Sequence, residues 1–227
     1  IISLNSLGAD IVSKLDNDSL IGIPGSSLLK KNDLFSKKVI ISEGRMPPSL
    51  EKIIKLKPNL VIGSAGFHDK ILDKLGELNI ETLKTDTKSI NQLEILISYL
   101  SNYLNKDPSI LQESIKSCYL NTSKSRGTAV ILASTKPLLS PNSNSWAGKL
   151  LDRFNFDNIS KNLESKTEFK GYVNLSPEII LKTKPSKIIV ITFPGMNQNS
   201  LLSDPVLKKV ISPNNSEIIT FNYYGLI

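Results

Sequence analysis

Apolar residues in this 227-residue chain fall in short runs, separated by stretches with helical spacing. Ile1-Ile2-Ser3-Leu4 reads as a buried strand with a polar Asn5-Ser6 end, and Ala9 to Leu15 is amphipathic. Leu20 to Ile23 predicts a second strand, closed by the turn dipeptide Pro24-Gly25, and Val39 to Ile41 predicts a third. The prolines of Gly44-Arg45-Met46-Pro47-Pro48 make that segment irregular. Ser49 then suits a helix cap, with a helix over Leu50 to Leu56 that Pro58 stops. Leu60-Val61-Ile62-Gly63 has the β-branched content of a buried parallel strand, and a helix (Lys70 to Leu78) and a strand (Ile80 to Leu83) follow.

The middle of the chain is helical. Ser89 and Gln92 form a capping-box pattern ahead of the stripe Ile90, Leu93, Ile97, Leu100 and Leu104. Asp107-Pro108 opens a second helix running to about Ser123, with Leu111, Ile115 and Cys118 on one face. Strand and helix then alternate again: strands at Ala129 to Ala133, Ile188 to Ile191 and Ile218 to Phe221, and helices at Ala147 to Phe154, Ser176 to Thr183 and Leu201 to Ile211.

The second half repeats the first at an offset of 127 residues: Ser49 to Pro58 aligns with Ser176 to Pro185. Serine, glutamate, Ile53/Ile180, two lysines and the final proline are identical, and both copies run into an apolar strand. Two copies at this spacing do not make a solenoid. They predict an α/β protein of two similar lobes, each with a central, mostly parallel sheet. The expected boundaries are 1–105 for the first lobe, 106–126 for a connecting helix and 127–227 for the second lobe. Two like lobes on one connector imply a cleft between them, lined by loops at the carboxyl ends of the strands.

Composition removes several alternatives. Cys118 is the only cysteine and His68 the only histidine, so an internal disulfide, a zinc cluster and a multi-histidine site are excluded. The net charge of +7 comes from lysines spread along the whole chain, which argues against a nucleic-acid arm. No run approaches the roughly 20 apolar residues of a membrane span. The chain begins inside an apolar run, which predicts an upstream segment, either an export leader or a lipid-anchor signal. An α/β enzyme acting on nucleotides or sugars is the competing class. Its signatures are missing: Gly63-x-x-Gly66 lacks the dinucleotide frame, Gly148-Lys149 is followed by Leu150 where a phosphate loop needs Ser or Thr, and no GxSxG elbow occurs.

Several segments resemble a known family. Ile1 to Ser6 resembles the opening strand of the periplasmic substrate-binding proteins of ABC importers for cobalamin, haem and ferric siderophores. Ser49 to Ile62 is similar to that family's LEKIxxLKPDLVI segment, with Asn59 for the usual aspartate. Ser145 to Leu151 with Asp157-Asn158-Ile159 resembles its second-lobe helix, and Tyr172 to Pro185 its LSPExLLxxxPD block. The resemblance implies two lobes bridged by one helix, no enzymatic activity, no cofactor or resident metal, and an extracytoplasmic, monomeric protein. Its partners would be a membrane permease with an ATPase, and its ligand a metal chelate: a ferric siderophore, with cobalamin or haem as alternatives.

In that family the first-turn glutamate of each repeat docks on the permease, which carries over to Glu51 and Glu178. A first-turn glutamate also stabilises its own helix, by about 0.3–1 kcal/mol. Ligand contacts are expected from Asn5 and Ser6, from Arg45 and Met46, and from Ser64 and Phe67 in the glycine-bounded loop after the Leu60 strand. Arg45 offers a charge-assisted contact to a carboxylate. Trp146, Tyr172, Phe193, Tyr223 and Tyr224 are candidates for an aromatic wall or for ordinary packing. His68 and Met46 are the residues capable of axial ligation to haem iron, although a lone loop histidine is more often solvated.

Overall fold

The computed structural model describes residues 1–43, 46–117, 124–164, 170–192, 205, 208 and 216–222. The chain divides into two compact units, Ile1–Ser117 and Cys118–Ile227. Unit 1 contains β1 (Ile2–Ser3), α1 (Ser6–Asp16), β2 (Gly22–Gly25), the short α2 (Ser27–Lys30), β3 (Val39–Glu43), α3 (Leu50–Lys55), β4 (Leu60–Ser64), α4 (Asp69–Glu77), β5 (Glu81–Thr85), α5 (Ile90–Leu104) and α6 (Ser109–Ser117). Its five strands are ordered β3-β2-β1-β4-β5, and every pair is parallel. Parallel neighbours require crossovers, and the helices supply them on both faces.

Alternation along the strands sends side chains to two cores. Leu60 and Ile62 face α1 and α5 in a cluster with Val12, Ile97 and Leu100. Val61 faces the other way, with Ile2, Ile41, Ile53, Leu72 and Leu75. Leu111 and Ile115 of α6 pack on the α1–α5 cluster, as their shared face predicts. The capping box at α5 is half formed. Ser89 Oγ accepts from Gln92 N at 3.3 Å, but Gln92 Oε1 accepts from Lys88 N, one residue earlier than the motif requires.

Unit 2 contains β6 (Thr128–Leu132), β7 (Ser134–Thr135), β8 (Leu138–Pro141), α7 (Trp146–Arg153), β9 (Asp157–Asn158), β10 (Tyr172–Asn174), α8 (Pro177–Thr183), β11 (Lys187–Thr192) and β12 (Glu217–Asn222). Its parallel sheet runs β12-β11-β6-β9. Read as β9-β6-β11-β12, this matches β2-β1-β4-β5 of unit 1 strand for strand. α8 packs on Val130, Leu132 and Ile188 through Ile180. α7 packs on the opposite face through Ala147 and Leu151.

The repeat is also a repeat of conformation. Ile53 and Ile180 are each fully buried, and Pro58 and Pro185 are buried behind them. Lys57 and Lys184 adopt left-handed φ of 46° and 45° at the two helix ends. The caps differ. Ser49 Oγ accepts from Lys52 N, whereas Ser176 makes no side-chain cap bond and Pro177 takes the first helical position, where no N–H is needed.

Two features depart from the sequence pattern. Pro24-Gly25 is not a turn but the end of β2, in register with Ser42 and Glu43 beyond an irregularity after Ile23. A Cβ on Gly25 would lie 2.2 Å from Ser42 O, so glycine is what lets β3 approach there. β1 pairs with β2 only at Gly22, which leaves Pro24 no ladder bond to forfeit on that side. The second departure is the hairpin β7-β8, inserted between β6 and α7, which pairs with the later β10 in an antiparallel sheet ordered β10-β8-β7. Of the helix expected over Leu201 to Ile211, Pro205 and Lys208 are described, and both are helical.

Candidate functional site

Because all five strands of unit 1 are parallel, their carboxyl ends share one edge, and the loops that leave it carry the predicted ligand contacts. Asn5 occupies the centre of that edge, after β1. It caps α1, with Oδ1 accepting from Gly8 N at 2.7 Å. Its Nδ2 donates to Ser64 Oγ after β4 and to Thr85 Oγ1 after β5, each at 3.1 Å. One amide therefore ties three strand ends together. Thr85 Oγ1 donates onward to Gly63 O at 3.1 Å, and the fully buried Ser3 donates its hydroxyl to Asn5 O at 2.7 Å. Glycine at position 8 makes this geometry accessible, because a Cβ there would fall 2.7 Å from Ser3 Oγ and 3.1 Å from Asn5 Oδ1. Ser6 is the first residue of α1 and half-buried beside the network.

The loop after β4 is folded back on itself. Phe67 N and His68 N both donate to Ser64 O, at 3.2 and 2.9 Å. Gly66 takes a left-handed φ of 81°, and its N–H donates to Asp69 Oδ2 at 3.0 Å. Ser64 N donates to His68 Nδ1 at 2.9 Å. His68 is thus half-buried and held by the backbone rather than simply solvated. The position of His68 needs the bare Gly63, where a Cβ would meet His68 Cβ at 2.9 Å. Burial pushes the imidazole pKa down, opposed by the carboxylate of Asp69. The turn projects Phe67 into solvent at 89% exposure, and Met46, on the loop after β3, is 70% exposed. Two large exposed apolar side chains on loops of the same sheet edge as a polar network offer a ligand both kinds of contact.

The histidine geometry also decides what iron chemistry is open to it. A neutral imidazole that binds a metal through Nε2 carries its proton on Nδ1. Here Nδ1 accepts a backbone N–H, so the proton of the neutral ring lies on Nε2. His68 in this conformation is a hydrogen-bond donor at Nε2 and is not arranged as an axial haem ligand. Among the described residues no group of three or more His, Cys, Asp or Glu side chains could hold a metal ion. No described helix is long and apolar enough to cross a membrane.

In unit 2, Trp146 is the first residue of α7 rather than part of the preceding loop, and it is half-buried. α7 leads into β9, which is parallel to β6, so α7 begins at the carboxyl edge of its sheet. The start is rigid: buried Ser145 accepts from Gly148 N at 3.0 Å and donates to Asn142 O at 2.8 Å. Asn142, also buried, donates through Nδ2 to Leu163 O and through its backbone to Gly171 O. A Cβ on Gly171, φ 84°, would lie 3.0 Å from Ser145 Cβ, so the segments bearing Trp146 and Tyr172 meet in a close backbone approach. Tyr172 itself is half-buried opposite Pro141 in β10.

The topology therefore collects Asn5, Ser6, Met46, Ser64 and Phe67 along one edge of unit 1, and brings the segments of Trp146 and Tyr172 together in unit 2. Arg45, Phe193, Tyr223, Tyr224 and Cys118 lie outside the described residues. Two members of the network were missed from the sequence pattern, Thr85 as a partner of Asn5 and His68 as the anchor of Ser64. Glu51 and Glu178 are both exposed in the first turns of α3 and α8.

No family model and no curated protein sequence matches the chain. Its fold does match solved structures over nearly its whole length. The periplasmic vitamin B12 binding protein BtuF of Vibrio cholerae is 18% identical, covering 99% of this chain and 88% of its own at a TM-score of 0.73. The periplasmic haem-binding protein RhuT from Roseiflexus is 17% identical, covering 100% and 90% at 0.73. A periplasmic binding protein from Veillonella parvula is 14% identical, covering 99% and 84% at 0.77. The chain has the two-unit α/β fold of the periplasmic substrate-binding proteins of ABC importers.

Proposed function

We propose that this chain is the extracytoplasmic substrate-binding component of an ABC importer and not an enzyme. It would capture a metal chelate, a ferric siderophore, on the loops at the carboxyl ends of its parallel strands. It would then deliver that chelate to a membrane permease driven by an ATPase. The observation that carries this reading is the full-length fold match to binding proteins, combined with an edge on which Asn5, Ser64 and Thr85 form a hydrogen-bonded platform beside exposed Phe67 and Met46. Trp146 and Tyr172 would add an aromatic surface from unit 2, with Phe193, Tyr223 and Tyr224 beyond the ends of β11 and β12. Arg45 would select for anionic ligands. The exposed pair Glu51 and Glu178 would dock on the permease. The Nδ1 contact of His68 favours siderophore or cobalamin over histidine-ligated haem.

The test is equilibrium titration of the purified chain with a ferric trihydroxamate, an anionic ferric tricatecholate, cyanocobalamin and haemin, read by quenching of its single tryptophan, Trp146. Saturable binding of a ferric chelate supports the proposal. Preference for cyanocobalamin or haemin moves the ligand class, and silence across the panel, or turnover of nucleotide or sugar substrates, overturns it.

A further inference from the structure

His68, weighed from the sequence only as an axial haem ligand, fixes the loop that carries two of the predicted contacts, Ser64 and Phe67. Ser64 N–H donates to Nδ1 at 2.9 Å, and Ser64 Oγ accepts from Asn5 Nδ2 at 3.1 Å. The imidazole therefore sets the backbone of a residue whose hydroxyl belongs to the platform. A protonated imidazole has no acceptor, because both ring nitrogens carry hydrogen. Protonation of His68 must then break the Ser64 contact and turn two N–H groups toward each other. Nε2 has no partner among the described residues and is not a buried orphan, so the neutral ring presents one N–H donor to solvent or to a ligand.

We infer that His68 is a positioning residue of the carboxyl-edge site, and that its protonation releases the Gly63–His68 turn and makes ligand capture sensitive to acid. The ligand half of this inference rests on the function proposed above; the structural half does not. The charged group that acts on the ring is Asp69, the first residue of α4 after its cap His68, and Asp69 in turn faces Lys84 of β5, whose Nζ lies 3.7 Å from Asp69 and 2.8 Å from Asp73. Lys84 is thereby drawn to the two aspartates, which raise its own pKa, and at the imidazole burial outweighs the opposing carboxylate of Asp69. His68 Cβ and the side chain of Leu72 both crowd the bare Gly63, and the burial of the half-buried ring opposes charge.

The sign follows from the direction of the shift. The folded pKa lies below the free imidazole value of about 6.5, so the neutral, anchored state is fully present above that pH and is lost as pH falls through the folded value. If capture requires the neutral ring, apparent affinity changes less than about twofold between pH 7.5 and 6.5, then falls about tenfold per pH unit below the pKa.

The experiment uses the intact, ligand-free chain and two substitutions, His68→Asn and His68→Ala. Asparagine places an amide oxygen where Nδ1 stands and does not titrate. Amide NMR and hydrogen exchange at Ser64, together with imidazole shifts of the single histidine, are followed from about pH 8 to 5. Ser64 should lose protection in step with His68 protonation in the unsubstituted chain, keep it in H68N and lack it at every pH in H68A. Affinity for a ferric trihydroxamate and for cyanocobalamin, across the same range, should fall in acid for the unsubstituted chain and stay level for H68N. A Ser64 signal that ignores the His68 titration overturns the inference, and it can be read in the unsubstituted protein alone. If neither probe binds, the proposed function fails while the Ser64 result still decides the role of His68. If the probes bind with the same pH profile in H68N, the acid-sensing role fails alone.

Discussion

Asn5 performs two jobs with one side chain, and substitution separates them. Its oxygen caps α1 and its nitrogen bridges Ser64 and Thr85. Asn5→Ser keeps a capping oxygen but is too short to reach either partner; Asn5→Ala removes both functions. Loss of the cap costs about 1 kcal/mol. Each bridging hydrogen bond contributes about 0.5–1.5 kcal/mol, and the half-burial of Asn5, Ser64 and Thr85 puts the pair near the low end, about 1 kcal/mol together, because water can replace part of what is lost. N5S should therefore destabilise unit 1 by about 1 kcal/mol and N5A by about 2 kcal/mol. In opening equilibria these are about fivefold and thirtyfold.

The measurement is hydrogen exchange by mass spectrometry on the intact chain, comparing peptides from α1 with those spanning Gly63–His68. N5S should accelerate exchange in the Gly63–His68 peptide and spare the first turn of α1, while N5A should accelerate both. If N5S matches N5A in α1, serine does not restore the cap and the division of labour is wrong. If N5A leaves Gly63–His68 protected, the amide does not tie the strand ends together.

Two further predictions follow from the same structure. A Cβ at Gly148 would sit 1.9 Å from Asn142 O, a backbone atom that cannot swing aside, whereas Gly76 in α4 has nothing within 4 Å. Gly148→Ala should cost at least about 1–3 kcal/mol by overpacking and Gly76→Ala should stabilise by about 0.5–1 kcal/mol, read as opposite shifts in denaturant midpoint. Reversing Glu51 and Glu178 to lysine should abolish uptake in cells while leaving ligand affinity within about twofold, since both are exposed and a first-turn charge contributes about 0.3–1 kcal/mol to its own helix; a parallel loss of affinity would refute the docking role.

The repeat was legible because its residues report on backbone and burial together. Serine starts each helix, an isoleucine enters the core, and a buried proline ends the turn before each strand. The hairpin of β7 and β8 was not legible for the opposite reason. Ser134–Thr135 and Leu138–Pro141 are short, half polar and interrupted by Pro137, so period-two alternation never accumulates, and their pairing comes from tertiary contact with β10. Thr85 shows a different limit. Nothing local distinguishes it, and the pattern ends the strand at Leu83. It becomes a partner of Asn5 because the β4–β5 register sets it beside Ser64. His68 stands four residues after Ser64, a spacing that permits a side-chain bond back to the backbone, but only the fold over Gly63 selects it.

The inserted hairpin also explains why two units of one topology carry different surfaces. In unit 1 the chain leaves β1 and caps α1 within two residues, so the cap itself stands among the strand ends and its amide can bridge them. In unit 2 the chain leaves β6, makes β7 and β8, and only then caps α7 with Ser145. That cap is buried by Asn142 and Gly171, and Trp146 takes the next position. The first unit therefore carries a hydrogen-bonded amide at this position and the second a half-buried tryptophan. The charge of +7 plays little part at the described edge of unit 1, where Lys84 is held by Asp73 and Asp69 and Lys88 by Asp86. What the described residues of that edge do present is hydrogen-bond geometry, and the backbone of Ser64 within it is fixed by the Nδ1 of one histidine.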